Sequence, residues 1–460
     1  MPSLFFKSYW NIVGEDVVAT VQDFFITGTL YPYINSSNIV LVPKSQSPSM
    51  VNHFRPIAVC NVIYKVISKL LADRVKPLLN QLICPTQKTF VPGRSIHDNS
   101  VLIQEIIHAM KRKRGSQGCM GLKIDLRKAY DRLSWKFLEA VLRAYGFHPQ
   151  WIHWVITCFT LNRHSSTLHH LFFVDDIFLI GKCSVNVAFY FKECLDAFCN
   201  WFDQSFNPQK SNIFFNATAN RQSASLISAM MGFSKINPNS PNLGLLLFRS
   251  GKTRDFHFLV EHLDSKLAGW KAKTLLKAKT LVLIKSIALT IPIYSMQTVK
   301  LPVFICSKLD ARIRSFWWNS NSSNGKTLCF KAWDDLCKLK GCGGLGFRKM
   351  MDFNISLLAK WSWNLLTGRR FLCLDFLRSK YLHSTAFNDT TPKRFDSCFW
   401  KAILQIRGVV KEGACYVVGD GCSIDPWKDP WVPRAVNFMP QIIAEPGVDN
   451  GRVKDFFMAQ

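Results

Sequence analysis

The sequence predicts an α+β protein, in which short buried strands alternate with amphipathic helices. Three observations support this class. Short apolar runs at 38–43, 121–126 and 212–215 are typical of strands. Longer stretches place apolar residues at helical spacing, and 48% of the 460 residues are hydrophobic, so a large core can be buried.

The first third of the chain contains a strand and two helices separated by a loop. Residues 61–80 carry a helical stripe made of Val62, Ile63, Val66, Ile67, Leu70, Leu71 and Val75. The segment 84–99 contains Pro85, Pro92 and Gly93, which predict a loop. We expect the next helix to begin with Asp98 or Asn99 as its N-cap.

The middle of the chain predicts two helices, a hairpin and a further helix before the strand at 212–215. The helices cover 134–146, with Ser134 as N-cap, and 149–160. Residues 171–180 predict a tight β-hairpin, and a helix with apolar residues from Val187 to Phe202 follows.

From about residue 241 the sequence becomes mainly helical. Residues 254–320 predict basic helices, and 353–382 predict Trp-rich helices. For the tail, 396–433, we expect short strands and turns.

The net charge limits the classes of partner. Lys and Arg number 58 against 31 Asp and Glu, which gives a formal charge of +27 and a pI near 9.6. A chain this basic attracts polyanions, so nucleic acid or an anionic membrane surface is expected, with a merely basic soluble protein as the alternative. The 13% aromatic content favours nucleic acid.

The sequence shows no apolar run long enough to span a membrane and no signal-peptide pattern at its start. The 15 cysteines are irregularly spaced, without a C-x-x-C pair or zinc-ligand spacing. We therefore expect reduced thiols and a location in the nucleus or cytoplasm, without membrane insertion or secretion.

The stretch "LFFVDDIFLIGK", 171–182, places Asp175 and Asp176 between two apolar runs. Asp is common in turns, so a surface turn is the ordinary interpretation. A metal site is the alternative, because a divalent cation removes the cost of holding carboxylates together. If this hairpin lies beside the strand that ends at Asp125, three carboxylates converge.

Several blocks resemble the reverse transcriptases of non-LTR (LINE-type) retrotransposons, especially those of plants. "KIDLRKAYDRLSW", 123–135, and "FVDD", 173–176, resemble the two catalytic aspartate motifs. "NHFRPIAVCNVIYKVISKLLADRVKPLL" and "QKTFVPGRSIHDN" resemble the fingers, and "LAGWKAKTLLKAKTLVLIKSIALTIPIYSM" resembles the thumb. The resemblance covers nearly the whole chain, and it favours the metal site over the turn.

The resemblance implies a right-hand polymerase with α/β fingers, a palm containing an antiparallel sheet, a helical thumb and a mostly α C-terminal extension. The implied boundaries are 1–120 for the fingers, 121–240 for the palm, 241–320 for the thumb and 321–460 for the extension with its short-strand tail. The implied partners are an RNA template, a DNA primer or target and deoxynucleoside triphosphates. Two Mg²⁺ ions are expected, with Mn²⁺ as an alternative ion.

The resemblance also assigns roles to residues near the aspartates. Asp125 and Asp175 would bind metal, with Asp176 supporting them. Leu126 would offer its backbone carbonyl to the substrate. Tyr130 would pack against the sugar and reject a 2′-hydroxyl, although a core aromatic is the alternative.

Residues elsewhere receive substrate or nucleic-acid roles. Arg55, Gly93 and Arg94 would contact incoming nucleotide or template, and Lys210 would face the nucleotide phosphates unless it is an ordinary surface lysine. The lysines expected to follow the primer–template backbone, or alternatively to form a solvated helix face, are Lys266, Lys271, Lys273, Lys277 and Lys279.

One family segment is missing from the sequence. The family has a glycine-rich motif between its aspartate motifs, whereas Gly146 is the only glycine between Asp125 and Asp175. This difference predicts an internal deletion across 160–170. Loss of a segment that positions reactants lowers the rate strongly, so we expect impaired synthesis, with a non-catalytic basic nucleic-acid-binding remnant as the competing hypothesis.

Overall fold

The computed structural model describes most of the chain. The described residues are 2–34, 36–44, 47–113, 118–127, 134–159, 176–202, 204–235, 241–242, 245–246, 253–271, 276–318, 329–383, 385–427, 429–435, 438–440 and 452–457. They divide into two compact units. The first comprises Met1–Asn99 and Ile106–Leu243, and the second comprises Ser100–Glu105 and Gly244–Gln460.

The first unit combines helices and short strands. Its helices are α1 Ser3–Ser8, α2 Trp10–Thr27, α3 Val62–Val75, α4 Leu79–Leu82, α5 Ile96–Arg112 (whose middle turns belong to the second unit), α6 Trp135–Ala144, α7 Pro149–Phe159, α8 Val185–Phe202 and α9 Arg221–Met231. Its strands are β1 Ser37–Pro43, β2 Phe54–Cys60, β3 Cys119–Asp125, β4 Asp176–Lys182, β5 Asn212–Phe215, β6 Ser234–Lys235 and β7 Pro241–Asn242. The mixed α+β class is therefore confirmed.

A four-stranded sheet forms the centre of this unit, in the order β4-β3-β5-β6. Strand β3 pairs antiparallel with both β4 and β5, and β5 pairs parallel with β6. Met120, Leu122 and Ile124 of β3 are completely buried and pack against apolar residues of α8 and α9. The residues between these three are also buried or half-buried, so β3 is an almost continuous buried run rather than an alternating one.

Strands β1 and β2 form a separate antiparallel ribbon, with Ser37 opposite Cys60 and Pro43 opposite Phe54. Most of its residues are exposed. The exposed apolar side chains include Ile39, Val40, Leu41, Val42, Ile57 and Val59.

The described residues of the second unit form mainly helices, together with the short strand β8 Leu245–Leu246. Its helices are α10 His257–Lys271, α11 Lys277–Leu283, α12 Ile293–Met296, α13 Val303–Trp317, α14 Trp333–Cys337, α15 Met350–Leu366, α16 Leu372–Tyr381, α17 Cys398–Glu412 and α18 Val453–Phe457. One buried cluster joins α10 to α13, and another joins α15, α16 and α17 around Trp400. None of the helices that the structure describes has the length and apolar character needed to cross a membrane.

Most predicted elements are present, and two predictions are wrong. Helix α5 is capped by Ser95, whose hydroxyl accepts from the His97 N–H, and not by Asp98 or Asn99. The tail is not made of short strands and turns throughout, because residues 398–412 form α17. Its residues Phe399, Trp400, Ile403 and Ile406 form a buried helical stripe. Of the predicted hairpin, strand β4 lies within the described residues and the part before Asp176 does not.

Candidate active site

Asp125 occupies the last position of β3, where the buried apolar run ends. Its backbone is held on both sides by the turn before β5. The Asp125 N–H donates to Ser211 Oγ over 3.1 Å, and its carbonyl accepts from the Asn207 N–H over 2.8 Å. The Asp125 side chain is 20% exposed. The backbone of Asp125 is therefore held in place, and its carboxylate is partly accessible at the end of the strand.

Asp176 begins β4 and lies directly opposite Asp125 in the antiparallel register. Residues opposed in this way have Cα atoms roughly 4.5–5.5 Å apart. The structure thus brings the backbones of two predicted site aspartates together, although they are far apart in sequence. Asp175, the residue before Asp176, lies outside the described residues.

Lys210 lies in the turn that precedes β5. Its N–H and that of Ser211 both donate to the Asn207 carbonyl, which closes the turn. The Lys210 Nζ is 3.9 Å from Asp125 Oδ2, and the lysine side chain is 70% exposed. At that distance the contact is an attraction between charges rather than a hydrogen bond, so the ammonium is free to move toward an incoming anion.

Leu126 and Tyr130 follow Asp125 in sequence. The Leu126 side chain is buried, and its backbone bridges to Phe206 in antiparallel fashion. The Arg127 N–H donates to the Ser205 carbonyl over 2.8 Å. These contacts continue the β3 backbone past Asp125 along a fixed path, whereas Tyr130 lies outside the described residues.

Sequence reasoning missed Asn207 and Ser211, which hold the backbone of Asp125. Both lie in "NPQKSN", on either side of Lys210. Pro208 and the polar residues indicate a turn. The partner of that turn, however, is more than eighty residues away and becomes visible only when β3 and β5 pair.

The predicted finger residues have different surroundings. Arg55 is exposed on β2, opposite Val42. Gly93 is exposed and has a φ of +77°. The Arg94 guanidinium instead points into its own loop and donates to backbone carbonyls.

The predicted nucleic-acid-binding lysines belong to the second unit. Lys266, Lys277 and Lys279 are exposed on α10 and α11. The Lys277 ammonium also donates to the Trp317 carbonyl over 2.6 Å and lies 4.9 Å from the centre of that ring. Lys273 and the side chain of Lys271 lie outside the described residues.

The described residues contain no group of three or more His, Cys, Asp or Glu side chains that could hold a metal ion. The predicted triad includes Asp175 and the side chain of Asp176, which are not among them. Asp125 is the one predicted metal ligand whose side-chain surroundings the structure describes.

Comparison with known proteins relates part of the chain to a known family. Residues 42–169 match the family Reverse transcriptase (RNA-dependent DNA polymerase). Residues 42–169 therefore resemble a reverse transcriptase domain, and by this resemblance the chain is an RNA-directed DNA polymerase. The matched region includes Asp125 and ends before Asp175.

Three curated relatives are similar to parts of the chain, and one of them is named as a protein of a retrotransposable element. The first, an Arabidopsis thaliana protein named for ribonuclease H, is 35% identical over 38% of this chain and 29% of its own length. The second, an uncharacterized mitochondrial protein of Arabidopsis thaliana, is 32% identical over 31% of this chain and 94% of its own length. The third is the retrovirus-related Pol polyprotein from a type-2 retrotransposable element of Drosophila melanogaster. It is 31% identical over 26% of this chain and 11% of its own length. The chain thus spans less than a third of the first and third relatives.

Proposed function

We propose that the chain is the reverse transcriptase region of a plant non-LTR (LINE-type) retrotransposon. In this proposal it copies RNA into DNA by joining deoxynucleotides to a primer. The observation that carries the proposal is the pairing of Asp125 with Asp176 across β3 and β4, with Lys210 beside the Asp125 carboxylate. The positive charge of the chain is appropriate for an RNA template and a DNA primer.

The donor set at the end of β3 suits Mg²⁺. Carboxylate oxygens are hard ligands, and Mg²⁺ commonly binds through one or two carboxylates together with substrate phosphates. Asp125 is partly exposed, so its oxygens are accessible. Asp125, Asp175 and Asp176 would hold the ions. Bound Mg²⁺ would stabilise the charge that develops on the phosphoryl oxygens in a two-metal site, and Mn²⁺ is an alternative ion.

The residues around the aspartates would orient the reactants. Lys210 would leave its contact with Asp125 and meet the phosphates of the incoming nucleotide. The Leu126 carbonyl would contact the nucleotide, and Tyr130 would exclude a 2′-hydroxyl. The fixed backbone of Asp125 would keep its carboxylate in one place while the substrates change.

The wider organisation follows the same proposal. The central sheet and its helices, 121–240, would be the palm, and 1–120 would be the fingers. The helices within 241–320 would be the thumb, whose lysines follow the primer–template backbone, and 321–460 would be an extension.

We further propose that synthesis is impaired. The motif that the family places between its two aspartate motifs is missing from this sequence. The match to the family also ends at residue 169, before "FVDD". An internal deletion across 160–170 would leave Asp125 in place and remove a wall that positions template and nucleotide. A misplacement of about 1 Å can lower a rate about 100-fold.

A non-catalytic role is the second candidate, and the same missing segment favours it. A chain with a charge of +27 would still bind RNA through its phosphates when the chemistry is lost. Such a remnant would bind nucleic acid with a strong dependence on salt and would not extend a primer.

Primer extension by the purified chain on an RNA template with Mg²⁺ separates these candidates. The matched variants are Asp125→Asn and Asp175→Asn, and the control is Asp73→Asn on α3, an exposed carboxylate paired with Lys69 and Lys76. Weak extension that the site variants abolish and the control retains supports the proposal. Extension as fast as that of an intact relative refutes the impairment. Salt-sensitive RNA binding without extension favours the non-catalytic remnant.

A further inference from the structure

The loop between α4 and α5 folds around the guanidinium of Arg94. Arg94 Nη1 donates to the carbonyls of Cys84 and Gln87, both over 2.7 Å. Nη2 donates to the carbonyls of Ile83 over 2.9 Å and Asn80 over 3.2 Å. Nε donates to Asn80 Oδ1 over 3.2 Å. A guanidinium has five N–H donors, so these contacts occupy its full donor capacity.

Further contacts anchor the same loop. Asn80 Nδ2 donates to the Pro92 carbonyl over 3.3 Å, and Asn99 Nδ2 donates to the Thr86 carbonyl over 3.1 Å. Lys88, only 4% exposed, has its ammonium 3.7 Å from Asp98 Oδ2 in the first turn of α5. The loop is thus fixed both by the Arg94 side chain and by the start of the following helix.

The contacts of Arg94 with Asn80, Ile83, Cys84 and Gln87, here called the Arg94 clamp, hold a loop that contains unusual backbone conformations. Phe90 has a φ of +62°, which is sterically unfavourable for a bulky L-residue and persists only where surrounding contacts hold it. Gly93 has a φ of +77°, and a Cβ placed there would have no atom of the structure within 4 Å. Among the described residues, the space in front of the Gly93 backbone is therefore open, and a ligand can approach it closely.

We propose that Arg94 is a positioning residue, which acts through this loop and does not itself touch the nucleotide or the template. It holds the exposed backbone of Pro92 and Gly93 against the sugar–phosphate backbone of an RNA template. This inference rests on the proposed binding of a template. This role differs from direct contact with the template, because the N–H donors of Arg94 already bond to backbone carbonyls of the chain.

The two roles predict different effects of substitution. A phosphate-contacting arginine contributes counterion release, so its loss makes the plot of log K against log salt shallower by about one. If Arg94 contacts phosphate, a lysine in its place would keep most of that contribution. If Arg94 instead positions the loop, it needs the planar guanidinium, which lysine lacks. Arg94→Lys should then disorder the loop while leaving the salt slope unchanged.

The test uses the full chain, a single-stranded RNA probe and Arg94→Lys and Arg94→Ala. The control is Arg143→Lys, an exposed arginine on α6 paired with Glu139. Two quantities are measured: RNA affinity as a function of salt, and the rate of chymotrypsin cleavage after Phe90. We expect both Arg94 variants to bind RNA about 5- to 10-fold more weakly with an unchanged slope, a loss typical of one misplaced polar contact. Cleavage should be faster, and the control should match the wild type.

If Arg94→Ala makes the plot of log K against log salt shallower by about one and leaves the chymotrypsin cleavage rate unchanged, the proposal is overturned in favour of direct contact. Affinity within about twofold of the wild type would also overturn it, because the loop would then have no role in template binding. A wild-type chain that binds no RNA would refute the proposed function and with it the positioning role. In that case, faster cleavage of the Arg94 variants would still show that Arg94 orders the loop. Failure of the proposed function can therefore be distinguished from failure of the loop-ordering role of Arg94.

Discussion

Glu105 carries a charge that the second unit buries almost completely, with 1% of its side chain exposed. The Lys380 ammonium donates to Glu105 Oε2 over 2.6 Å and to the Glu105 carbonyl over 2.9 Å. The Tyr381 hydroxyl donates to Oε2 over 2.6 Å, and the Ser397 hydroxyl donates to Oε1. Ser397 is also the N-cap of α17 and accepts from the Trp400 N–H. One carboxylate therefore links α16 to the start of α17.

The substitution Glu105→Gln removes the charge while keeping nearly the same shape. It leaves the Lys380 ammonium, 17% exposed, without its counter-charge. Breaking one partner of a buried ion pair costs about 3–5 kcal/mol. Because Lys380 retains some contact with water, we expect a loss of about 3 kcal/mol in the free energy of unfolding of this unit.

Urea unfolding followed by hydrogen exchange of the α16 and α17 peptides measures this loss locally. Asp375→Asn is the matched control, because Asp375 pairs with Arg378 at the surface and its loss should cost under about 0.5 kcal/mol. The double variant Glu105→Gln with Lys380→Met should recover part of the loss, since no unpaired charge remains. A Glu105→Gln variant as stable as the control would refute the assigned role of this carboxylate.

Three further predictions concern other polar contacts. Burial raises the pKa of Asp310 to about 6, above the ordinary value near 3.9, so stability should fall as pH rises from about 4 to 6. The free energy of unfolding, measured between about pH 4 and 6, should fall by on the order of 1–2 kcal/mol less in Asp310→Asn than in the wild type. Asn354, fully buried, accepts from the Leu301 N–H and donates to the carbonyls of Met296 and Val299. Asn354→Leu should cost about 2–4 kcal/mol in urea unfolding, because three polar groups lose their partner. Lys210→Gln should raise the nucleotide KM about 10-fold in primer extension, while Lys69→Gln, at an exposed helix pair, should leave it unchanged.

The sequence was most informative where local pattern and tertiary structure agree. The apolar run before Asp125 predicted β3, and Ser134 predicted the start of α6, where its hydroxyl accepts from the Phe137 N–H. The sequence predicted that the aspartates meet only if the strand ending at Asp125 and the hairpin at 171–180 lie side by side. The register fulfils that condition.

The N-cap of α5 was predicted wrongly because a side-chain partner outside the helix decides it. Asp98 has the chemistry of an N-cap, but its carboxylate faces the buried Lys88, and Ser95 caps the helix. The sequence did not show that the Arg94 guanidinium donates to loop carbonyls, and its contact with nucleotide or template stays a prediction. The missed helix α17 did have a local signal, since its apolar residues recur at helical spacing behind Ser397.

The ribbon of β1 and β2 has a practical consequence for handling the protein. A two-stranded ribbon whose described residues are mostly exposed is only marginally stable, and exposed apolar strands promote pairing between molecules. Its amides should therefore exchange with solvent early. At high concentration the purified chain should self-associate through this ribbon. Val40→Lys combined with Val59→Glu should therefore improve solubility without lowering the stability of either unit, because both side chains are exposed.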